Sequence, residues 1–380
     1  MKNRIFHMAL AALTASALAP VLTSCDDDDE VTIVREYEDV AVEVVPCPAP
    51  TFAMGADPGW VTEMESKGVV FKDAQGNEGE CLEILKGIGF NACRIRAWVN
   101  PTDQWCGTAD VIAKAERASK LGMAVMIDFH YSDTWADPAS QYKPSVWDGC
   151  KTLDEMTTLL YNYTLSTLKQ IKAKGVDVAW VQIGNETLTG MCKTNSDGSA
   201  TSVNGEMGTN YEKLHSAGCK AAKEVYPNCQ TVVHFQNGND YSKLTWGLNK
   251  LKSAGAEYDI FGVSLYPDFS DSNWYSTYIT GCVSNLKNIA STYRCDVMVC
   301  EVGCDVTGDA DNAKIALNDL VYRCQNELTN CKGVFYWEPE CSNSLDWNGG
   351  YKLGGFNEDR TPSEALTNAF GGGATKLLHE

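Results

Sequence analysis

The sequence predicts a single (β/α)8 barrel, because eight short apolar runs alternate with eight longer helical patterns from about residue 51 onward. The runs are too apolar for strands with one solvated face, which is typical of parallel strands covered by helices. The chain has 380 residues, and one such barrel takes about 250 residues, or more than 400 with insertions. Neither a G-x-G-x-x-G pattern nor a P-loop follows the first run, so a nucleotide-binding doubly wound sheet has no support.

The predicted strands and helices alternate along the chain and form eight strand–helix repeats. Gly89, Gly122 and Gly175 stand between a helix and the next strand, where a helix C-cap needs a positive φ. The predicted strands are residues 51–56, 92–97, 124–129, 179–183, 231–234, 260–264, 297–300 and 333–336. The predicted helices are residues 80–86, 110–120, 153–174, 211–226, 241–254, 274–293, 311–326 and 363–369.

The first residues are typical of an export signal. Lys2 and Arg4 precede an apolar segment, 5–22, that is too short and wrongly flanked for a stable membrane span. It ends in Leu-Thr-Ser-Cys, which resembles a bacterial lipobox and implies cleavage after residue 24 and lipid attachment to the thiol of Cys25. The alternative is an ordinary secretory signal with a chance cysteine.

The acidic run 26–30 follows directly and resembles the export signal of Bacteroidetes surface lipoproteins. Many such runs are only solvated linkers. We interpret residues 25–50 as an acidic tether that adds a short strand at most, and residues 51–380 as the catalytic domain. We therefore expect an exported, monomeric outer-membrane lipoprotein, exposed on the cell surface.

The net charge limits the possible binding partners, and the cysteine content bears on disulfide pairing and metal binding. The net charge of −19 argues against nucleic acid and anionic surfaces as partners. The sequence has 16 cysteines, and in an exported protein some of them should pair. Cys93 and Cys300 lie in predicted core strands and are expected to be free. No C-x2-C pair occurs, so a structural zinc site has no support. The candidates for pairing lie near helices and loops, and are Cys192, Cys219, Cys229, Cys282, Cys295, Cys324, Cys331 and Cys341.

Two glutamates follow buried strands and form the candidate catalytic pair. Glu186 ends the run Val-Gln-Ile-Gly-Asn-Glu, and Glu301 comes directly after the strand-like run 296–300. The carboxyl ends of barrel strands carry the catalytic residues of this fold. Glycosidases generally need two carboxyl groups, and two glutamates at separate strand ends meet this minimum.

Other polar and aromatic side chains gather at the same predicted strand ends. Period two puts Arg94, Arg96 and Trp98 on one face, and a buried arginine beside the second glutamate would hold it ionised. The stretch 128–138 around His130 is rich in aromatic rings and acids, which suits a sugar subsite.

Several segments resemble glycoside hydrolase family 53, the endo-β-1,4-galactanases that act on type I arabinogalactan. The resemblance runs from about residue 52 to about residue 360, and the long stretch 128–138 is its most specific part. After Glu301 the chain has Val-Gly-Cys, and after Tyr266-Pro267 it has Asp-Phe, where the family pattern differs. The matching segments are GAD (55–57), RIRAW (94–98), DFHYSDTWADP (128–138), VQIGNE (181–186) and FYWEP (335–339).

The resemblance implies a retaining mechanism with Glu186 as acid/base and Glu301 as nucleophile. Arg96 and Tyr266 would favour charge on Glu301, leaving Glu186 with the higher pKa. No cofactor is expected; some members hold calcium in the last loops, where Asp305, Asp309 and Asp346 offer oxygen atoms, and we assign no metal there. The resemblance also implies sugar contacts from Asp57, Arg96, Trp98, His130, Trp135, Asp137, Asn185, Tyr266 and Trp337.

Two alternatives stay open at this point. One is another endo-β-glycanase of the same clan, such as a mannanase or a cellulase, against which the stretch 128–138 is the main argument. The other is a surface glycan-binding lipoprotein built on an inactive barrel. Such a protein would keep its aromatic residues and lose a carboxylate, whereas this chain has both glutamates.

Overall fold

A computed structural model of the chain describes residues 43–342 and 350–377. Eight parallel strands close into a barrel in chain order, and the first strand pairs with both the second and the eighth. The barrel strands are β1 (Ala53–Asp57), β2 (Ala92–Ala97), β3 (Ala124–Phe129), β4 (Trp180–Ile183), β5 (Gln230–Phe235), β6 (Ile260–Leu265), β7 (Asp296–Val302) and β8 (Cys331–Trp337). The predicted (β/α)8 barrel is confirmed.

Helices cover the outside of the barrel. They are α1 (Cys81–Ile88), α2 (Thr108–Lys120), α3 (Leu153–Lys172), α4 (Tyr211–Val225), α5 (Tyr241–Ala254), α6 (Gly281–Tyr293), α7 (Ala310–Asn326) and α8 (Glu364–Phe370). The helix predicted at 274–293 instead begins with a π-helical turn, Tyr275–Thr280. Elements that the sequence did not predict are the helix Val61–Ser66, two short hairpins (Phe71–Lys72 with Glu78–Gly79, and Gly190–Met191 with Gly205–Glu206) and the 3-10 turns Ser145–Trp147 and Thr187–Thr189.

The predicted tether reaches the barrel at its last residues. The N–H of Val45 donates to the carbonyl of Gly175 at 3.0 Å, and Val45 forms a single parallel bridge with Val176. Among its described residues, 43–50, the tether therefore adds one bridge just before β4 rather than a full strand. Cys25 lies outside the described residues.

Alternation along the strands separates two apolar layers. Side chains that face the helices form the larger core. A smaller group fills the inside of the barrel floor, with Trp180 and Phe335 packed edge to face at 6.1 Å. Above that floor the inward positions turn polar, since Arg94 and Arg96 share the inward face of β2 with Ala92 while Ile95 and Ala97 join the outer core. Apolar packing thus fixes a barrel whose upper interior is open to polar chemistry.

A β-bulge decides the direction of Glu301. Val263 of β6 pairs with Val299, but the next residue, Ser264, pairs with Glu301, so β7 carries Cys300 as one extra residue. Val299 belongs to the outer core, and strict alternation would turn Glu301 outward with it. The bulge re-aims the side chain into the barrel, as bulges near active sites commonly do.

The described cysteines, Cys47 to Cys341, are all free thiols, and most are buried. Cys93 and Cys300 are free, as predicted. The expectation that some cysteines pair is not met among the described residues. No helix in the described ranges is both long and apolar enough to cross a membrane.

Candidate active site

The backbone turns sharply where several strands end. Tyr131, Glu186 and Glu338 have φ values of 51°, 50° and 49°, which lie in the left-handed region. Such values are uncommon for residues other than glycine and collect at functional sites. The turn at Glu186 follows Gly184, whose φ is 83°. These turns set the direction of the side chains at the rim of the barrel.

Arg94 lies at the centre of the polar interior. Its guanidinium is 1% exposed and contacts three carboxylates from three other strands. One nitrogen lies 2.9 Å from Oε1 of Glu301 and also bonds to Asp57, while the other lies 2.8 Å from Oδ2 of Asp128. The same second nitrogen donates to Oδ1 of Asn185 at 2.8 Å. Its Nε donates to Oε1 of Gln182 at 3.0 Å. A single buried cation therefore holds five side chains in fixed positions.

The carboxylates around Arg94 differ in their pKa values. Burial raises the pKa of Asp57 to about 7 against the lowering effect of Arg94. For Asp128, burial also raises the pKa, but Arg94 and His130 outweigh it and the pKa lies below its usual value. Asp57 is fully buried and Asp128 remains ionised. The predicted sugar-binding residue Asp57 thus lies beneath the site, bonded to Arg94.

Glu301 is held from two sides. Arg94 binds Oε1, and the hydroxyl of Tyr266 donates to Oε2 at 2.9 Å. The hydroxyl of Ser264 lies 3.4 Å from the same oxygen. Glu301 is therefore held in a fixed orientation beside a cation and two hydroxyl groups. The expectation that Arg96 supports it is wrong, because Arg94 is the arginine beside Glu301.

Glu186 has the opposite environment. Burial, the nearby charge of Glu301 and the charge of Asp137 raise its pKa to about 8, against smaller lowering effects of Ser264 and Arg94. Both glutamates thus interact with the Ser264 hydroxyl and with each other. A carboxyl group with this pKa is protonated at neutral pH and can donate a proton. The two glutamates therefore lie in different environments, one beside a guanidinium and one with a raised pKa.

A hydrogen-bonded chain of neutral groups supports Glu186 and Asn185. Nδ1 of His234 lies 2.8 Å from Oδ1 of Asn185 and 3.3 Å from the backbone nitrogen of Glu186, and its Nε2 lies 2.9 Å from the Ser264 hydroxyl. Because the amide oxygen of Asn185 can only accept, a proton on Nδ1 would be donated to it. Burial lowers the pKa of His234 well below its ordinary value, so its imidazole is neutral. Gln182 donates to Oδ1 of Asp128 at 2.6 Å. Sequence reasoning missed His234 and Gln182, although both are polar residues at inward positions of apolar strands.

Arg96 belongs to a separate cluster beneath a wall of aromatic rings. Its guanidinium bonds to Oε1 of Glu338 at 2.6 Å and lies 4.5 Å from the ring centre of Trp135. It also lies 5.2 Å from the ring of Trp98 and 5.6 Å from that of Trp60. Arg96 is 1% exposed. Its role is therefore to support the rings, and Glu338 and Trp60 are members that sequence reasoning missed.

The wall itself is built from edge-to-face aromatic contacts. Trp337 lies 5.8 Å from Trp135, 5.4 Å from Trp60 and 4.8 Å from Tyr351, all as ring-centre distances. Trp135 and Trp337 are half-buried, so each keeps an accessible part. Such faces suit the stacking of sugar rings. The predicted aromatic residues are thus brought together at one rim.

His130 lies between the wall and the Arg94 network. Its Nδ1 accepts from the indole N–H of Trp98 at 3.1 Å, and its Nε2 lies 2.9 Å from Oδ2 of Asp128. With Nδ1 as acceptor, Nε2 carries the proton and donates to Asp128. His130 is 4% exposed, so it links Trp98 to the network while presenting little surface.

Asp305 and Asp309, two of the loop acids that could offer oxygen atoms to calcium, lie just before helix α7. Oδ1 of Asp305 accepts from the N–H groups of Thr307 and Gly308 at 3.1 Å and 2.6 Å, and Asp346 lies outside the described ranges. In the described part of the chain, the acidic and thiol groups that lie near enough to share an ion are Glu338, Glu340 and Cys341. Glu338 already binds Arg96, and burial raises the pKa of Glu340 well above its ordinary value. This set is a poor match for calcium, which prefers several ionised oxygen ligands.

Comparison with known proteins agrees with this geometry. The profile of glycosyl hydrolase family 53 matches residues 53–367. The chain belongs to glycoside hydrolase family 53. It is therefore a glycoside hydrolase, and the family assignment made from the sequence motifs is confirmed.

Individual members of family 53 resemble the chain over most of its length. An endo-β-1,4-galactanase of Bacillus subtilis is 29% identical, with 89% of this chain and 82% of the relative covered. An arabinogalactan endo-β-1,4-galactanase of Thermothelomyces thermophilus is 31% identical, with 75% and 88% covered. A solved fungal β-1,4-galactanase superposes with a TM-score of 0.72 at 28% identity, covering 82% of this chain and 97% of that one.

Proposed function

We propose that this family 53 enzyme is a retaining endo-β-1,4-galactanase that cleaves β-1,4-galactosidic bonds within the galactan of type I arabinogalactan. The observation that carries the proposal is the electrostatic asymmetry of the two glutamates. Glu301 faces a guanidinium and a phenol, whereas Glu186 lies in a site that raises its pKa to about 8. The galactan substrate is supported by the names of the related proteins.

The proposed mechanism uses each carboxyl group twice. Glu301 attacks the anomeric carbon while Glu186 donates its proton to the leaving glycosidic oxygen. Glu186, now ionised, then takes a proton from water as the water oxygen attacks the anomeric carbon and the bond to Glu301 breaks. Asn185, held by Arg94 and His234, is placed to bond a sugar hydroxyl.

Retention requires a short separation between the two carboxyl groups. We expect about 5–5.5 Å between them, against about 6.5–9.5 Å for an inverting pair. Proton NMR of the first product formed from a β-linked substrate should show the β anomer before mutarotation. The α anomer appearing first would contradict the nucleophile role of Glu301.

Assays on three polysaccharides test the proposed substrate, and variants of Glu186 and Glu301 test their proposed roles. Linear β-1,4-galactan should release reducing ends, with a rapid fall in viscosity and a ladder of oligomers. Mannan and carboxymethylcellulose should not be cleaved. Glu186→Gln and Glu301→Gln should each lower galactan turnover by orders of magnitude while leaving thermal unfolding intact. A variant that keeps a tenth of wild-type turnover would remove that glutamate from the mechanism.

We also propose that the enzyme is a monomeric lipoprotein of the outer membrane. The support is the lipobox-like sequence before Cys25 and the acidic run after it. Cys25→Ala should move the protein from the detergent-soluble membrane fraction to the soluble one. A wild-type protein free in the medium with an unmodified N-terminus would contradict the anchor.

A further inference from the structure

A shallow groove lies between the turn that follows Glu186 and helix α5. It has a volume of about 360 Å³ and is lined by Leu188, Thr189, Ser242, Lys243 and Trp246. The first turn of α5 comes from the loop after β5, so this groove opens on the same end of the barrel as the catalytic carboxyl groups.

Trp246 is unusually accessible for a tryptophan. It is 46% exposed, whereas tryptophan side chains are buried on average. The Nζ of Lys250 lies over its ring at 5.8 Å and restrains it. A restrained, exposed indole is a suitable platform for the face of a sugar ring, since both surfaces are flat and partly apolar.

Thr189 supplies a second, independent observation. Its hydroxyl oxygen is buried and has no hydrogen-bond partner among the described residues. A buried hydroxyl without a partner costs free energy unless a ligand or water completes it. Thr189 is partly exposed and lines the same groove as Trp246, so rotation about χ1 would turn its unpartnered hydroxyl toward a ligand hydroxyl above the indole.

The groove is mechanically tied to the catalytic acid. Helix α5 packs closely on the turn after Glu186, because a Cβ on Gly247 would come within 2.8 Å of Leu188 and 2.6 Å of Phe235. Thr189 is three residues from Glu186, which limits their Cα separation to about 11 Å. A few linked sugars span such a distance.

We infer that Trp246 and Thr189 form an outer subsite for the part of the galactan chain that leaves with the proton from Glu186. The inference rests on the proposed function. The acid protonates the oxygen of the departing chain, so that chain extends from the side of Glu186. The turn Thr187–Thr189 then leads it toward α5. The ligand is a neutral polysaccharide segment, bound by stacking and by a hydroxyl contact.

The test compares one polymer with one small substrate. Trp246→Ala should raise KM for linear galactan about threefold to tenfold, the range expected for loss of one aromatic contact, with kcat nearly unchanged. An aryl β-1,4-galactobioside has no sugar beyond the cleaved bond, and its kcat/KM should stay at the wild-type value. Trp246→Phe should restore part of the polymer affinity, and Thr189→Val should weaken it without changing the aryl substrate.

Tyr241→Ala is the matched control, because Tyr241 is a 40% exposed aromatic residue on the same helix that does not line the groove. It should leave both substrates unaffected. Equal KM values for wild type and Trp246→Ala on galactan would overturn the subsite, as would an equal loss on both substrates. A wild-type enzyme without galactan hydrolysis would instead overturn the proposed function.

Discussion

Arg94 and Arg96 lie two residues apart on the same face of β2, and both are 1% exposed. Arg94 meets carboxylates from β1, β3 and β7, one of which is Glu301. Arg96 meets Glu338 and three indole rings. The same type of side chain thus holds three carboxylates together in one case and supports a wall of aromatic rings in the other. The partners presented by neighbouring strands, rather than residue type, decide the role.

Loss of Arg94 should give the largest effect. Arg94→Met leaves Asp57, Asp128 and Glu301 without their shared cation, so we expect kcat/KM on galactan to fall by about three orders of magnitude or more, because the ionised nucleophile loses its main partner. The free energy of unfolding should fall by roughly 3–5 kcal/mol, as for other broken buried pairs. Urea unfolding and initial rates measure the two effects separately.

Arg94→Lys is the control for charge. Lysine keeps the positive charge but lacks the planar guanidinium, whose nitrogens bond to several carboxylates at once. We therefore expect the stability to recover in part while the activity stays low. Wild-type activity in Arg94→Lys would show that charge alone suffices and would remove the geometric part of the comparison.

Loss of Arg96 should affect stability more than turnover. In Arg96→Met the buried carboxylate of Glu338 loses its cation, and we expect a similar loss of roughly 3–5 kcal/mol in the free energy of unfolding. The kcat of the folded fraction should fall less than tenfold, with KM raised as the rings loosen. Adding Glu338→Gln should restore part of the stability. If kcat falls as far as in Arg94→Met, the division between the two arginines is wrong.

The pH profile sharpens the same division. Glu186 must be protonated to act as an acid, and its pKa is raised to about 8. The alkaline limb of kcat/KM should therefore lie near pH 8, with activity lost as pH rises through it. In Arg96→Met the limb should stay in place, because Arg96 is not among the main influences on Glu186. A limb near pH 5 would mean that Glu186 is ionised at neutral pH.

The smallest effect is expected from loss of the hydrogen bond between Trp98 and His130, which links the Arg96 cluster to the Arg94 network. Trp98→Phe keeps a ring over Arg96 but removes the N–H that His130 accepts at 3.1 Å. The free energy of unfolding should fall by about 1–3 kcal/mol, since a buried acceptor is left without its donor. Thermal unfolding measures this, and Trp98→His serves as the control that returns a donor. An unchanged Tm would mean that water replaces the bond.

The barrel is predictable from sequence because apolar runs and helical patterns specify the alternation of strands and helices directly. The strand-end rule also located Glu186, Asn185 and Tyr266 correctly with respect to the polar interior. The bulge at Cys300 is not predictable in this way, because it depends on pairing with β6. Glu301 was nevertheless found, since the prediction placed it after a strand rather than inside one.

Which of the two arginines contacts Glu301 can be decided only from the three-dimensional structure. Period two puts Arg94 and Arg96 on one face, but strand tilt and stagger decide which of them reaches β7. His234 was missed for a different reason: it stands at the end of a predicted strand but was not considered with the residues at the other strand ends. Ser264 was noted at its strand end, but only Tyr266 of that strand was given a role. Trp60 follows β1 in an unpredicted helical turn, so no strand-end argument reaches it.

In the proposed mechanism Glu301 is the nucleophile that attacks and Glu186 is the acid that assists. A 2-deoxy-2-fluoro galactobioside with a reactive leaving group should form a long-lived glycosyl–enzyme, because the fluorine slows both steps while the leaving group restores the first. Peptide mass spectrometry after proteolysis should locate the sugar on Glu301, with none on Arg94→Met under the same conditions. A sugar found on Glu186, or turnover without any covalent adduct, would contradict the account.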